Sequence, residues 1–326
     1  KSPSAHDIMH PKNPEASVIY SADGKVIGKF FDENRQSVSY KDINSTFFQA
    51  LISTEDERFY EHSGIDFKGL IGAAKDAVGG HARGASTISQ QLVKNMFRIR
   101  TSTEYGTGLV GKIPGMRILI MKTKEMVIAV QLEMSNEKDS ILTMYANTVD
   151  FGSNAFGIKT AAKTYFNKTP AELRVEEAAV LVGLLKATST YNPRINPQQS
   201  QRRRNVVLDN IYNHRHDLAK KFGKAAIETR EQLDSLKKLP IELNFNVETA
   251  YDGQALYFRQ AVADYIKENS PNLDPYTDGL KIYTTLDSRM QRYAEAAVVE
   301  QMKKVQDSFD AHWRGLGEPW RDESGQ

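Results

Sequence analysis

Between residues 42 and 239 apolar side chains recur at three- and four-residue intervals, broken by glycine and polar loops, with no alternating strand pattern and no sustained heptad. Stripes of that period are buried by packing helix on helix, so the centre of the chain is expected to be one mainly α domain. The flanks read differently. Residues 1–16 carry three prolines and no hydrophobic period, which suits a tether. Residues 16–31 form two short β-branched runs around Asp23-Gly24, a strong hairpin signal. Residues 244–269 suggest a short extended piece followed by a helix, and residues 271–279 are rich in turn formers. Leu280, Ile282, Thr284 and Leu286 then alternate as on one face of a strand, ahead of a helix over about residues 288–305. No internal repeat is present.

Composition removes several classes of function. A net charge of +2 with 40% hydrophobic and 26% charged residues describes an ordinary globular chain, not a disordered tail or a nucleic-acid binder. With no cysteine there is neither a disulfide framework nor a cysteine metal site. The longest apolar runs, residues 126–132 and 178–185, fall far short of the roughly 20 residues a spanning helix needs. Because the sequence starts at Lys1 without a methionine and stops in a polar stretch, a membrane anchor is expected upstream of it.

Three stretches carry candidate chemistry. In Ser53-Thr-Glu-Asp-Glu-Arg-Phe-Tyr-Glu-His-Ser-Gly64, Glu55 lies four residues after Leu51 and four before Phe59, on the apolar stripe that also holds Phe48. An inward carboxylate suits a proton acceptor, because desolvation raises its affinity for a proton; a charged helix end is the plainer reading. In Arg83-Gly-Ala-Ser-Thr-Ile-Ser-Gln-Gln-Leu-Val-Lys-Asn95, a glycine-led helix start has capping-box spacing between Thr87 and Gln90, and Lys94, Arg98 and Arg100 follow. Such a start offers N–H groups and cations to a phosphate, or it is simply a well-capped helix. A third helix, about residues 117–134, is apolar at Ile118, Met121, Ile128, Ala129 and Leu132 and carries Glu125 on that stripe with Lys122 one turn before it. This pair fits a structural ion pair and an active site equally.

Taken in order, residues 55–64, 84–95, 122–125 and 138–147, with residues 176–186, Tyr191-Asn-Pro193 and Arg202-Arg-Arg204, resemble the motifs of the peptidoglycan glycosyltransferases, the polymerising part of class A penicillin-binding proteins. The likeness covers about residues 40–208. It implies a mainly α, lysozyme-like, two-lobed fold with short flanking β segments. The expected division is a membrane-proximal tether and hairpin at 1–40, the glycosyltransferase domain at 41–240, and a linker with the truncated start of a transpeptidase domain at 241–326. The nucleophile motifs of that second domain are missing in the right context, so no β-lactam acylation is expected.

The resemblance also implies a reaction. Glu55 would be the general base that deprotonates the acceptor sugar in lipid II, with inversion and loss of undecaprenyl pyrophosphate, and Glu125 the second essential carboxylate. Ser86, Thr87, Gln90, Gln91, Lys94, Arg98, Lys122 and Asn147 would bind substrate, with Asp56 and His62 in support. A divalent cation, magnesium or manganese, would sit with the pyrophosphate, Glu125 being a candidate ligand. Implied partners are lipid II, the growing glycan, the bacterial membrane, moenomycin-type inhibitors and other cell-wall synthesis proteins, with no nucleic acid. The place would be the outer, periplasmic face of the cytoplasmic membrane. Residues 97–116 would form a mobile flap.

Two departures stand out. Met121 and Gly72 occupy positions that are usually basic in the family, with Arg117 and Lys75 about one turn away as candidate replacements. A lysozyme-like glycan-cleaving enzyme and a catalytically weak lipid II-binding scaffold are the alternatives. Apolar residues at Met96-Phe97 and in the region from Phe151 to Phe156 are either core or membrane-facing.

Overall fold

The computed structural model describes residues 3–4, 7–8, 13–78, 84–97, 99 and 116–314. The described chain is mainly helical with one small sheet, and divides into two compact units, residues 1–15 with 32–248 and residues 16–31 with 249–326.

In the first unit the helices are α1 (Ser45–Glu55), α2 (Phe67–Val78), α3 (Ile88–Met96), α4 (Met116–Ser135), α5 (Lys138–Thr148), α6 (Ile158–Phe166), α7 (Val175–Leu184), α8 (Pro197–Asn213), α9 (Arg215–Phe222) and α10 (Arg230–Lys238). Helix α7 is apolar on all sides from Ala178 to Leu184 and buried from Glu176 onward, so it serves as the central post, packed against α1, α6 and α8. Helix α1 is capped by the Asn44 side chain, which accepts from Thr46 N at 3.1 Å, and it buries Phe47, Phe48, Leu51 and Ile52. Each of those side chains contributes about 1.5–3 kcal/mol by leaving water. Helix α3 lies against both α4 and α5, and so brings the second and third candidate stretches together.

Two expectations change here. Helix α1 stops at Glu55, with Asp56 leaving helical geometry, so Phe59 is not on its stripe; it is buried from the following turn instead. On α4, Met121, Ile128, Ala129 and Leu132 are buried but Ile118 is 71% exposed, because the packed face begins a turn later. Phe151 is fully buried and so belongs to the interior, while Met96 and Phe97 are half-buried against the same core.

The second unit holds the hairpin. Strand β1 (Ser17–Tyr20) pairs antiparallel with β2 (Val26–Phe30) across a turn where Gly24 has φ +76°, and parallel with β3 (Lys281–Tyr283), in register Ile19 with Ile282. The sequence reads these strands as separate flanks; the structure joins them in one sheet. Helix α11 (Leu256–Asn269) completes a small core of Ile19, Ile27, Phe30 and Ala263, and α12 (Ser288–Trp313) has no buried residue. Among the described residues no helix is long and apolar enough to cross a membrane.

Candidate active site

The site is built around the N-terminus of α3. Thr87 caps the helix, its Oγ accepting from Gln90 N at 3.2 Å and donating to Gly64 O at 2.8 Å. The Asp56 carboxylate, delivered by the turn after α1, accepts from Ile88 N at 2.9 Å. An acid at that end of a helix is favoured by the dipole as well as by the hydrogen bond. The expectation of free N–H groups there is therefore corrected: Asp56 and Thr87 already occupy the amides of Ile88 and Gln90. The capping box is also only half formed, since the Gln90 side chain turns to Gly64 O at 3.2 Å.

What remains for an anion is a set of side chains. Lys122 Nζ, from α4, donates to Ser86 Oγ at 2.7 Å and Gln90 Oε1 at 2.8 Å, and stands 3.4 Å from Glu125 Oε2. Glu125 is 1% exposed, as its place on the stripe requires. Lys94 follows Gln90 by one turn on α3, on the same side. Arg98 and Arg100 lie outside the described residues, as does most of the flap at 97–116.

Glu55 sits at the other flank of α3. Gln91 Nε2 donates to its Oε2 at 2.9 Å, and Arg203 Nη2 from α8 is 3.9 Å from its Oε1. Its side chain is 16% exposed, so the carboxylate is sheltered yet reachable. Tyr145, on α5, donates to Gln91 Oε1 at 3.0 Å. Burial, reinforced by the charge of Glu55, holds the Tyr145 hydroxyl proton far more tightly than in water.

His62 supports this frame from beneath. Its Nε2 lies 3.0 Å from Asp56 Oδ1, and its Nδ1 faces Glu133 at 3.8 Å. Glu133 in turn takes Lys138 Nζ at 2.6 Å and the Ser89 hydroxyl, while Lys138 also donates to His62 O at 2.6 Å. Asn147 is elsewhere: it exchanges two hydrogen bonds with the backbone of Val38, at 2.9 and 3.1 Å, and fixes that segment. Met121 is 5% exposed within the core, so the apolar residue matches its surroundings; Arg117 and Lys75 are exposed on α4 and α2.

Sequence reading assigns no role to Glu133, Lys138, Tyr145 or Arg203. Lys138, Tyr145 and Arg203 lie within the motif stretches 138–147 and 202–204, which was the available signal; Glu133 lies outside every motif stretch. Among the described residues no group of three or more histidines and acids could hold a metal ion. The donor set at Glu125 is one carboxylate beside an ammonium, which by itself is not a cation cage.

Two carboxylates thus flank the start of α3, Glu55 held by Gln91 on one side and Glu125 beside the Lys122 that meets Gln90 on the other. The family model described as Transglycosylase matches residues 23–212, and the chain belongs to that family. Penicillin-binding protein 1A from Neisseria flavescens is 35% identical over 313 residues, covering 95% of this chain and 35% of that protein. The protein of the same name from Escherichia coli (strain K12) is 36% identical over 285 residues, covering 86% and 30%. The chain thus spans about a third of the length of the curated relatives it matches. The crystal structure of penicillin-binding protein 1A from Haemophilus influenzae aligns with a TM-score of 0.43 at 23% identity, over 88% of this chain and 29% of that one.

Proposed function

We propose that the chain is a peptidoglycan glycosyltransferase that joins lipid II units into glycan, with Glu55 as general base. The observation that supports this most is that consecutive glutamines on α3 serve two different acids: Gln91 meets Glu55, while Gln90 meets the Lys122 that stands beside Glu125. One flank handles a proton and the other handles phosphate charge. Glu55 takes the proton of the acceptor's sugar hydroxyl as that oxygen bonds to the donor's anomeric carbon, and the bond from that carbon to the pyrophosphate oxygen breaks, inverting the centre. Lys122, Ser86, Gln90 and Lys94 stabilise the charge that collects on the leaving undecaprenyl pyrophosphate. No covalent enzyme intermediate is required.

A divalent cation would arrive on the pyrophosphate, with Glu125 as the protein's carboxylate donor, the usual way magnesium is held between protein and phosphates. It would supply further charge neutralisation there. Exposed Phe67 and Ile71 on α2, and Ile118 and Leu119 on α4, offer apolar surface to a membrane that presents the lipid-linked substrate. The outer face of the bacterial cytoplasmic membrane is where such substrate is used. Moenomycin-type inhibitors would compete at the anion side, and other cell-wall synthesis proteins would be partners of the full-length protein.

The test is polymerisation of labelled lipid II in detergent with magnesium, by this chain, by Glu55→Gln and by Lys94→Ala. Long products from the parent and none from either variant are expected. Binding of lipid II without any polymer would favour the scaffold instead, and cleavage of preformed glycan would favour the hydrolase.

A further inference from the structure

We infer that Tyr145 and Gln91 form a positioning relay that aims the carboxylate of Glu55, an inference that rests on the reading of Glu55 as the base. An amide side chain has two orientations, and only one of them presents its NH2 to Glu55. Two neighbours select that orientation independently. The negative charge of Glu55 repels the amide oxygen and attracts the NH2, which donates to Oε2 at 2.9 Å. On the far side, the Tyr145 hydroxyl donates to Gln91 Oε1 at 3.0 Å, and the 1% exposure of Tyr145 leaves little access to water as an alternative acceptor. Because burial and the nearby Glu55 charge keep that phenol protonated, it remains a donor throughout the working pH range.

The parts sit on separate elements. Glu55 is the last residue of α1, where the helix ends and its backbone stops constraining it; Gln91 lies inside α3 and Tyr145 inside α5. A base at a helix terminus needs an external hold, and the relay ties it to two packed helices. It also occupies one edge of the carboxylate, which leaves the remaining lone pairs for the acceptor hydroxyl. Gln91 is on this account a positioning residue for the base, in contrast to its neighbour Gln90, which faces Lys122.

The experiment is a double-mutant cycle in lipid II polymerisation, with Tyr145→Phe, Gln91→Met, the double variant and Glu55→Gln as the control. Misaiming a reacting group by a fraction of an ångström lowers turnover by one to two orders of magnitude. Tyr145→Phe, which keeps the ring, is therefore expected to reduce kcat about 10-fold with KM for lipid II within about 2-fold, and Gln91→Met to reduce it more. The double variant should be no worse than Gln91→Met alone, because Tyr145 acts through Gln91. A phenol that merely stabilised the fold would give losses that multiply, with a matching fall in the amount of folded enzyme and no change in kcat per folded molecule. Multiplying losses, an effect carried by KM, or full kcat in Tyr145→Phe would each overturn the relay. If Glu55→Gln is inactive while Tyr145→Phe is unimpaired, the relay alone fails; if the parent makes no polymer, the glycosyltransferase reading fails and the relay with it; if Glu55→Gln still makes polymer, the reading of Glu55 as base fails and takes the relay with it.

Discussion

Gly64 shows how tightly the first motif is built. Its φ is +87°, and a Cβ there would meet the backbone of α4 at 2.7 Å from Val130 N and 2.8 Å from Ala129 O. Its own carbonyl accepts from Thr87 and Gln90, so the same residue sets the distance between α4 and the start of α3. A methyl group cannot be absorbed by a side-chain shift, because its neighbours are backbone. Gly64→Ala is expected to cost at least about 2 kcal/mol, a fall in Tm of about 4–8 °C, and to depress polymerisation further by shifting Thr87 and Gln90, the second of which meets Lys122. Thermal unfolding with lipid II turnover on the remaining folded enzyme checks it, and an unchanged Tm would show that the two helices can separate freely. The glycine itself was visible in the sequence as a motif position. Its partner was not, since Val130 lies far along the chain and contributes only backbone atoms, which carry no residue signature.

At the level of elements, the start of α7 illustrates a charge arrangement with a pH signature. Glu177 accepts from Arg174 N at 2.9 Å and from Lys168 Nζ at 2.8 and 2.9 Å, with Arg174 Nη2 at 3.1 Å. Burial alone would raise its proton affinity, but the hydrogen bonds from Lys168 and the Arg174 amide, with both cations, bring its pKa below the usual carboxylate range. A carboxylate whose folded value is depressed adds stability above its unfolded value, and that contribution is lost as pH falls through the folded one. Denaturant titrations from pH 7 down to acid should therefore show Glu177→Gln less stable at neutrality, with a flatter decline below about pH 4.5, the two curves converging in acid. Parallel curves would remove Glu177 from the acid response. Helices α1 and α4 were legible from their apolar period, α3 from its capping spacing and the hairpin from Asp23-Gly24, because those signals are local in sequence. The directions of neighbouring polar side chains were not. Gln90 and Gln91 are identical in sequence terms, and only the crossing of α3 with α4 and α5 sends one toward Lys122 and the other toward Glu55. Tyr145 and Arg203 escaped assignment for the same reason, as their partners lie on other helices.

For the molecule as a whole, the division into two units separates the candidate site from the small sheet. Every described residue assigned to the site falls within residues 32–248, whereas the hairpin and the segment from 249 onward share a sheet and a core of their own. That second core depends on a close approach: a Cβ on Gly28 would lie 1.8 Å from Arg259 Nη1 and 2.6 Å from its Cδ. Arg259 is 2% exposed and donates to Asp252 O at 2.9 Å, so pushing it aside strands a buried guanidinium and releases the turn before α11. Gly28→Ala should accordingly loosen one unit and spare the other. Hydrogen exchange is expected to speed up across residues 17–30 and 251–283, while amides of α3, α5 and α7 keep their protection and lipid II polymerisation stays within about 2-fold of the parent. Equal loss of protection in both units, or loss of polymerisation, would mean that the two cores fold as one cooperative body and that the sheet contributes to the site's stability. Retained polymerisation beside a loosened sheet would place all the determinants of turnover in the helical unit, where α3 lies between Glu55 and Lys122.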